Sequence, residues 1–133
     1  MHKIMIVDDA AMMRTLIGNM VGKYPEFKVV ALAENGKKAL EHLPKHPDLR
    51  LILLDIEMPE MNGLEFLRHA KMKSRAKVVI LSSVAAAGSK QAAEARTLGA
   101  DAIVTKPSGS VSFDLAEKRG DELIRVMRKL VGA

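Results

Sequence analysis

Four short apolar runs constrain this chain more than any other feature of it: Ile4-Met5-Ile6-Val7, Leu51-Ile52-Leu53-Leu54, Val78-Val79-Ile80-Leu81 and Ala102-Ile103-Val104. None of them alternates with polar residues. A strand with one face in water must alternate, whereas a strand covered on both faces need not. The runs therefore predict strands of a parallel sheet with helices on both sides. Phe27 to Leu32 adds a fifth, weaker run.

Helical periodicity fills the gaps. Met13, Leu16, Ile17, Met20 and Val21 recur at spacings of three and four. Ala39, Leu40 and Leu43 follow Asn35, a good helix N-cap. Leu64, Leu67 and Ala70 follow the turn pair Asn62-Gly63. An Ala-rich stretch from Ala92 to Leu98 stops at Gly99, a common helix terminator. Leu123, Ile124, Met127, Leu130 and Val131 make the last stripe. Strand and helix thus alternate five times. That order predicts a doubly wound (βα)5 three-layer α/β sandwich with right-handed crossovers. With 133 residues, one domain over residues 1–133 is expected. Ser108 to about Glu117 reads as a long loop before the last helix, with Val111, Phe113 and Leu115 inside it.

Composition removes several classes of function. The chain has no Cys, hence no disulfide framework, thiolate zinc site or cysteine nucleophile. No apolar run reaches the roughly 18 residues of a membrane span. The N-terminus turns acidic at Asp8, unlike a signal peptide. A cytoplasmic protein without a membrane partner is expected. A net charge of +5 invites a nucleic-acid reading, but there is no Trp and aromatics are 3%, which leaves few platforms for base stacking. Arg119, Arg125, Arg128 and Lys129 fit the solvated face of an amphipathic helix. The expectation is no nucleic acid, and the positive excess suits an acidic protein partner. The four His residues lack metal-ligand spacing.

In open parallel sheets, ligands bind beyond the carboxyl ends of the strands. Asp8 and Asp9 follow the first run, Asp55 the third in chain order, Ser82 and Ser83 the fourth, and Lys106 the fifth. A lone Asp after a strand is ordinarily a helix cap. Here three acids, a hydroxyl and an ammonium converge on one edge of the sheet. Crowded carboxylates call for a cation, and hard oxygen ligands with room for water suit Mg²⁺. A carboxylate can also act as a nucleophile towards phosphorus. Phosphoryl transfer then needs mainly positioning and charge neutralisation. The site reads as built to place a phosphoryl group on Asp55.

On these residues the chain resembles the receiver domain of two-component response regulators over essentially its whole length. The resemblance is carried by Asp8-Asp9, by Asp55-Ile56-Glu57-Met58-Pro59 with Gly63 eight positions beyond Asp55, by Ser82 and by Lys106-Pro107. It implies a flavodoxin-like sheet in the order 2-1-3-4-5, an order taken from CheY rather than read from these residues. It further implies Asp55 as phospho-acceptor, Asp9 as direct ligand of Mg²⁺, Asp8 acting mainly through a bound water, and Glu57 lending its backbone carbonyl. Ser82 would contact the phosphoryl group and draw its loop inward, and Lys106 would bind phosphate. The Lys106–Pro107 bond is typically cis in the family.

The motifs are also similar to the receiver of the chemotaxis methylesterase CheB, yet no catalytic domain follows in this sequence. The resemblance therefore implies a stand-alone, CheY-type chemotaxis regulator, monomeric and not an enzyme beyond its own phosphorylation and autodephosphorylation. The expected partners are the histidine kinase of a chemotaxis cluster as donor and a flagellar motor switch protein or another output protein. The competing readings are a receiver cut from a methylesterase, a phosphate sink without output, and a phosphatase on a similar acidic site. Two features depart from the pattern. Ile103 stands where chemotaxis receivers often carry Tyr or Phe, which shifts the expected output towards the strand-four loop and helix four. Met12, Met13 and the Phe113 segment are expected to help choose the kinase.

Overall fold

The computed structural model describes residues 1–56, 63–82, 90–106 and 113–132, and the side chains of all of these except residues 113–119. Five strands form one sheet: β1 (His2–Val7), β2 (Phe27–Ala33), β3 (Leu51–Asp55), β4 (Lys77–Ser82) and β5 (Ala102–Thr105). All neighbours are parallel, in the order β2-β1-β3-β4-β5. The helices are α1 (Ala11–Gly22), α2 (Gly36–His42), α3 (Gly63–Lys73), α4 (Lys90–Thr97) and α5 (Phe113–Val131), with a single 3-10 turn at Leu43–Lys45.

The continuous apolar runs are explained by two cores, one on each face. Met5, Val7, Ile52, Leu54, Val78 and Ile80 pack with Ala39 of α2, Phe66, Leu67 and Ala70 of α3 and Ala95 of α4. Ile4, Ile6, Leu51, Leu53, Val79, Leu81 and Val104 pack with Ile17 and Val21 of α1 and Leu123, Ile124, Met127 and Val131 of α5. Successive strand residues point to opposite faces, so both sets must be apolar once both faces are covered.

The ends of the helices follow local chemistry. Asn35 accepts a hydrogen bond from the Lys38 N–H (2.8 Å), a cap that contributes about 1 kcal/mol to so short a helix as α2. Gly99, at φ +105°, ends α4, with the Gly99 N–H on the Arg96 carbonyl and the Ala100 N–H on the Ala95 carbonyl. One boundary differs from the sequence expectation. The last helix begins at Phe113, so Phe113 and Leu115 lie in α5 rather than in a loop running to Glu117. The first turns are dominated by charged residues that hide the apolar stripe, but Leu, Ala, Glu, Lys and Arg are strong helix formers.

Candidate functional site

β1, β3, β4 and β5 each deliver a polar residue to the same edge of the sheet. Beyond β1, the Asp8 N–H still donates to the Ala33 carbonyl (3.0 Å), so the first acid is tied to the sheet. Asp55 is the last residue of β3, in register with Leu81. Ser82 closes β4 in register with Thr105, and the Lys106 N–H donates to the Ser82 carbonyl (2.8 Å). Ladder register thus brings Lys106 to Asp55 across two strand boundaries.

The Lys106 ammonium sits 3.1 Å from Asp55 Oδ1 and 3.2 Å from Asp8 Oδ2. Asp8 and Asp55 are buried, while Asp9 is exposed. Burial alone would push the Lys106 pKa down, but the Asp55 and Asp8 charges outweigh it and hold it above the ordinary value of 10.5. A cation whose pKa is raised on folding adds stability that is fully present below its unfolded value and is lost as pH rises through its folded value. In Mg²⁺-free buffer, the stability difference between the native chain and Lys106→Met is therefore expected to be constant from neutral pH to about 10 and to change as the pH climbs past the lysine range. Urea melts of the two proteins across that window check this, and a difference that changed between pH 7 and 9 would contradict it.

Asp8 uses its two oxygens differently. Oδ1 accepts the Ala10 N–H (2.9 Å). Oδ2 is buried and faces the Lys106 ammonium, while the buried Ser82 Oγ has no hydrogen-bond partner among the described residues. A buried hydroxyl left in this state costs about 1–3 kcal/mol unless a ligand or ion meets it. One carboxylate oxygen from each of Asp8, Asp9 and Asp55 lies within 4.8 Å of the other two. Three clustered carboxylates against the one ammonium of Lys106 leave negative charge over, and such hard oxygen ligands fit a divalent cation such as Mg²⁺. Gly63, at the start of α3, lets the helix lie against the end of β3: a Cβ there would stand 2.6 Å from the Asp55 carbonyl oxygen and 2.8 Å from Ile56 Cα.

Among the described residues, the structure thus gathers Asp8, Asp9, Asp55 and Lys106 with Ser82 on the neighbouring strand end. Ile103 is in register with Ile80, partly buried, and packs on the core of the α2–α3–α4 face. Met12 is 84% exposed beside the acidic pair, while Met13 turns partly inward onto the α1–α5 core. Glu57 and Pro107 lie outside the described residues, and Phe113 opens α5 with its side chain undescribed. Sequence reasoning passed over Arg14, whose guanidinium donates to the Asp8 carbonyl (2.7 Å). The available signal was a cation one turn into α1, flanked by Met13 and Leu16 of its apolar stripe.

Comparison with known proteins gives a consistent picture. The family model described as "Response regulator receiver domain" matches residues 4–115. A protein-glutamate methylesterase/protein-glutamine glutaminase of Treponema denticola is 49% identical over 115 residues, which are 85% of this chain and 30% of that protein. The corresponding protein 1 of Syntrophomonas wolfei is 37% identical over 95% of this chain and 35% of its own length. The chain therefore spans about a third of the methylesterases it matches. Among solved structures, a chain of the complex between the P1 domain of CheA3 and CheY6 from R. sphaeroides superposes with TM-score 0.82 at 57% identity, covering 99% of this chain and 98% of that one. The response regulator domain of Thermotoga maritima CheB superposes with TM-score 0.84 at 33% identity, over 99% and 97% of the two chains.

Proposed function

Because this chain belongs to the response regulator receiver family, we propose that Asp55 takes a phosphoryl group from a chemotaxis histidine kinase and that the modified domain switches the binding of an output protein. The observation that carries this reading is the buried Asp55 carboxylate, with the Lys106 ammonium 3.1 Å from one oxygen and two further acids beside it. The complex of a CheA P1 domain with the similar CheY6 chain supports the choice of donor.

In the proposed reaction an Asp55 oxygen attacks phosphorus. The P–N bond of the phosphohistidine breaks as the new P–O bond forms, and the imidazole leaves with the electron pair and takes up a proton. Asp8, Asp9, Asp55 and the Glu57 carbonyl would hold Mg²⁺, which supplies charge neutralisation for the phosphoryl oxygens. Lys106 starts between Asp8 and Asp55, and a charge-assisted bond to a phosphoryl oxygen would draw it from that position. The Ser82 hydroxyl, unpartnered among the described residues, gains an acceptor in the same oxygens. Those new bonds bias a two-state equilibrium at the β4 end, read out on the α4 side. With Ile103 in place of an aromatic ring, the readout relies on the loop after β4 and on α4. The output partner is a flagellar motor switch protein or another chemotaxis protein, and the setting is the cytoplasm.

A second reading is favoured by the 49% identity to the Treponema methylesterase: this receiver could regulate a methylesterase domain. Phosphorylation-dependent binding to a purified motor switch protein, against binding to a purified methylesterase catalytic domain, separates the two, and binding to neither marks a phosphate sink.

The donor chemistry is tested with a radiolabelled P1 domain of a CheA-type kinase. Label is expected to pass to this protein within seconds in millimolar Mg²⁺ and to fall at least tenfold when the cation is chelated. Absence of transfer from P1 and from acetyl phosphate alike would overturn the reading.

A further inference from the structure

We propose that Arg14 is the positioning residue of the acidic site: it fixes the backbone that carries Asp9 and so sets cation affinity without touching the cation. The inference rests on the Mg²⁺-dependent reading above and adds a residue to it.

The argument begins with the exit from β1. After the Asp8 N–H has bonded the Ala33 carbonyl, the chain has only Asp9 and Ala10 in which to turn into α1. Helix N-termini are usually anchored by a capping side chain, but here the N-cap position is Ala10, no side chain caps it, and the first turn holds no acid. Two other bonds take over. Asp8 Oδ1 accepts the Ala10 N–H (2.9 Å), and the Asp8 carbonyl accepts from the Arg14 guanidinium (2.7 Å). The second is a charge-assisted bond from one turn inside the helix back to the peptide joining the two acids. It orients the Asp8–Asp9 peptide plane.

That plane matters because of how Asp9 is held. Its side chain is exposed, and no hydrogen bond or ion pair of its carboxylate is found among the described residues. Among the described residues, what holds its direction is the backbone that carries it. Asp8, by contrast, is buried and bonded at Oδ1. Arg14 therefore acts chiefly on the more exposed acid, and on the orientation of Asp8 Oδ2 through the same loop. Groups of this kind, bonded to what bears a ligand rather than to the metal, typically change affinity by 10–100-fold when removed.

Electrostatics and positioning predict opposite signs, which makes the test sharp. A cation bonded to the Asp8 carbonyl repels Mg²⁺ held beside it, so losing its charge alone should tighten cation binding. Losing a positioning bond should weaken it. We expect Arg14→Met, which keeps an unbranched apolar stem and removes the donor and its charge, to weaken Mg²⁺ binding by about tenfold in isothermal titration. Arg14→Lys, which keeps charge and one donor, should recover part of that loss. In phosphotransfer the Mg²⁺ concentration for half-maximal rate should rise by a similar factor, with the rate at saturating Mg²⁺ within about twofold of the native chain. In the metal-free protein, hydrogen exchange at the amides of residues 9–12 should quicken in Arg14→Met, with distant strand amides unchanged.

Unchanged or tighter Mg²⁺ binding in Arg14→Met, in a native chain that binds Mg²⁺ and takes label, would overturn the inference alone. A native chain that neither binds Mg²⁺ nor takes label would overturn the functional reading and the affinity part of the inference with it. The exchange rates judge the loop-fixing role in either case, and no acceleration would refute it.

Discussion

Protein carrying Asp55→Asn is expected to fold and to take no phosphoryl label, a loss of at least about a hundredfold against the native chain. The expectation follows from chemistry at one atom. A carboxylate oxygen carries the electron pair that attacks phosphorus, and the product is an acyl phosphate. An amide shares its nitrogen electron pair with its carbonyl and offers no comparable nucleophile. Asn matches Asp in volume, so the buried position at the end of β3 is refilled without a cavity. The change also removes one of three crowded acids and an ion-pair partner of Lys106. Far-UV circular dichroism and a cooperative melt should therefore resemble those of the native chain, which separates lost chemistry from lost structure. The label on the native chain should be released by hydroxylamine, as an acyl phosphate is. Label on Asp55→Asn at the native rate would place the acceptor elsewhere and remove Asp55 from the proposed role.

The second large effect is structural and falls on the same strand end. Gly63→Ala is expected to destabilise the protein by about 3 kcal/mol, at the upper end of the usual cost of overpacking. The added methyl carbon would meet the Asp55 carbonyl oxygen at 2.6 Å, Ile56 Cα at 2.8 Å and the Ile56 carbonyl oxygen at 3.1 Å. All three are backbone atoms of the segment leaving β3, so no side chain can swing aside. Either α3 backs away, loosening Phe66 and Leu67 from the core, or the end of β3 shifts and moves Asp55 with it. Gly120 is the control. There a Cβ would collide with the Met20 methyl group, the far end of a flexible side chain. In the interior of α5, Ala is also favoured over Gly by about 1 kcal/mol. Gly120→Ala is thus expected to lie within about 1 kcal/mol of the native chain, since the helix gain offsets the rearrangement of Met20. Chemical denaturation of both variants decides the matter. Equal stabilities would show that α3 can yield at Gly63 at little cost. Phosphotransfer by the folded fraction of Gly63→Ala tells the two backbone responses apart: it falls where the end of β3 has carried Asp55 away from Lys106 and holds where α3 has backed away.

Much of this was legible in the residues alone. The apolar runs are continuous because both faces of the sheet are covered, and that property is local to each run. The cap at Asn35 and the terminator at Gly99 are equally local, since each acts on backbone groups within a few positions. The polar residues at the strand ends were readable for the same reason: a strand that stops at an acid declares it in sequence. The start of α5 was not, because charged first turns carry helix propensity without an apolar stripe.

What only the tertiary structure decided is which groups meet where one element packs against another. That Lys106 reaches Asp55 and Asp8 together depends on strand order and on the β3–β4 and β4–β5 registers. What a Cβ would meet at Gly63 and at Gly120, backbone in one case and a side-chain tip in the other, is likewise decided by packing, and both read simply as Gly. That Arg14 turns back to the Asp8 carbonyl depends on how α1 packs across β1. Burial patterns and propensities are carried by near neighbours in sequence, whereas the reach of a side chain across the fold is set by where the sheet's twist and the crossovers place its backbone.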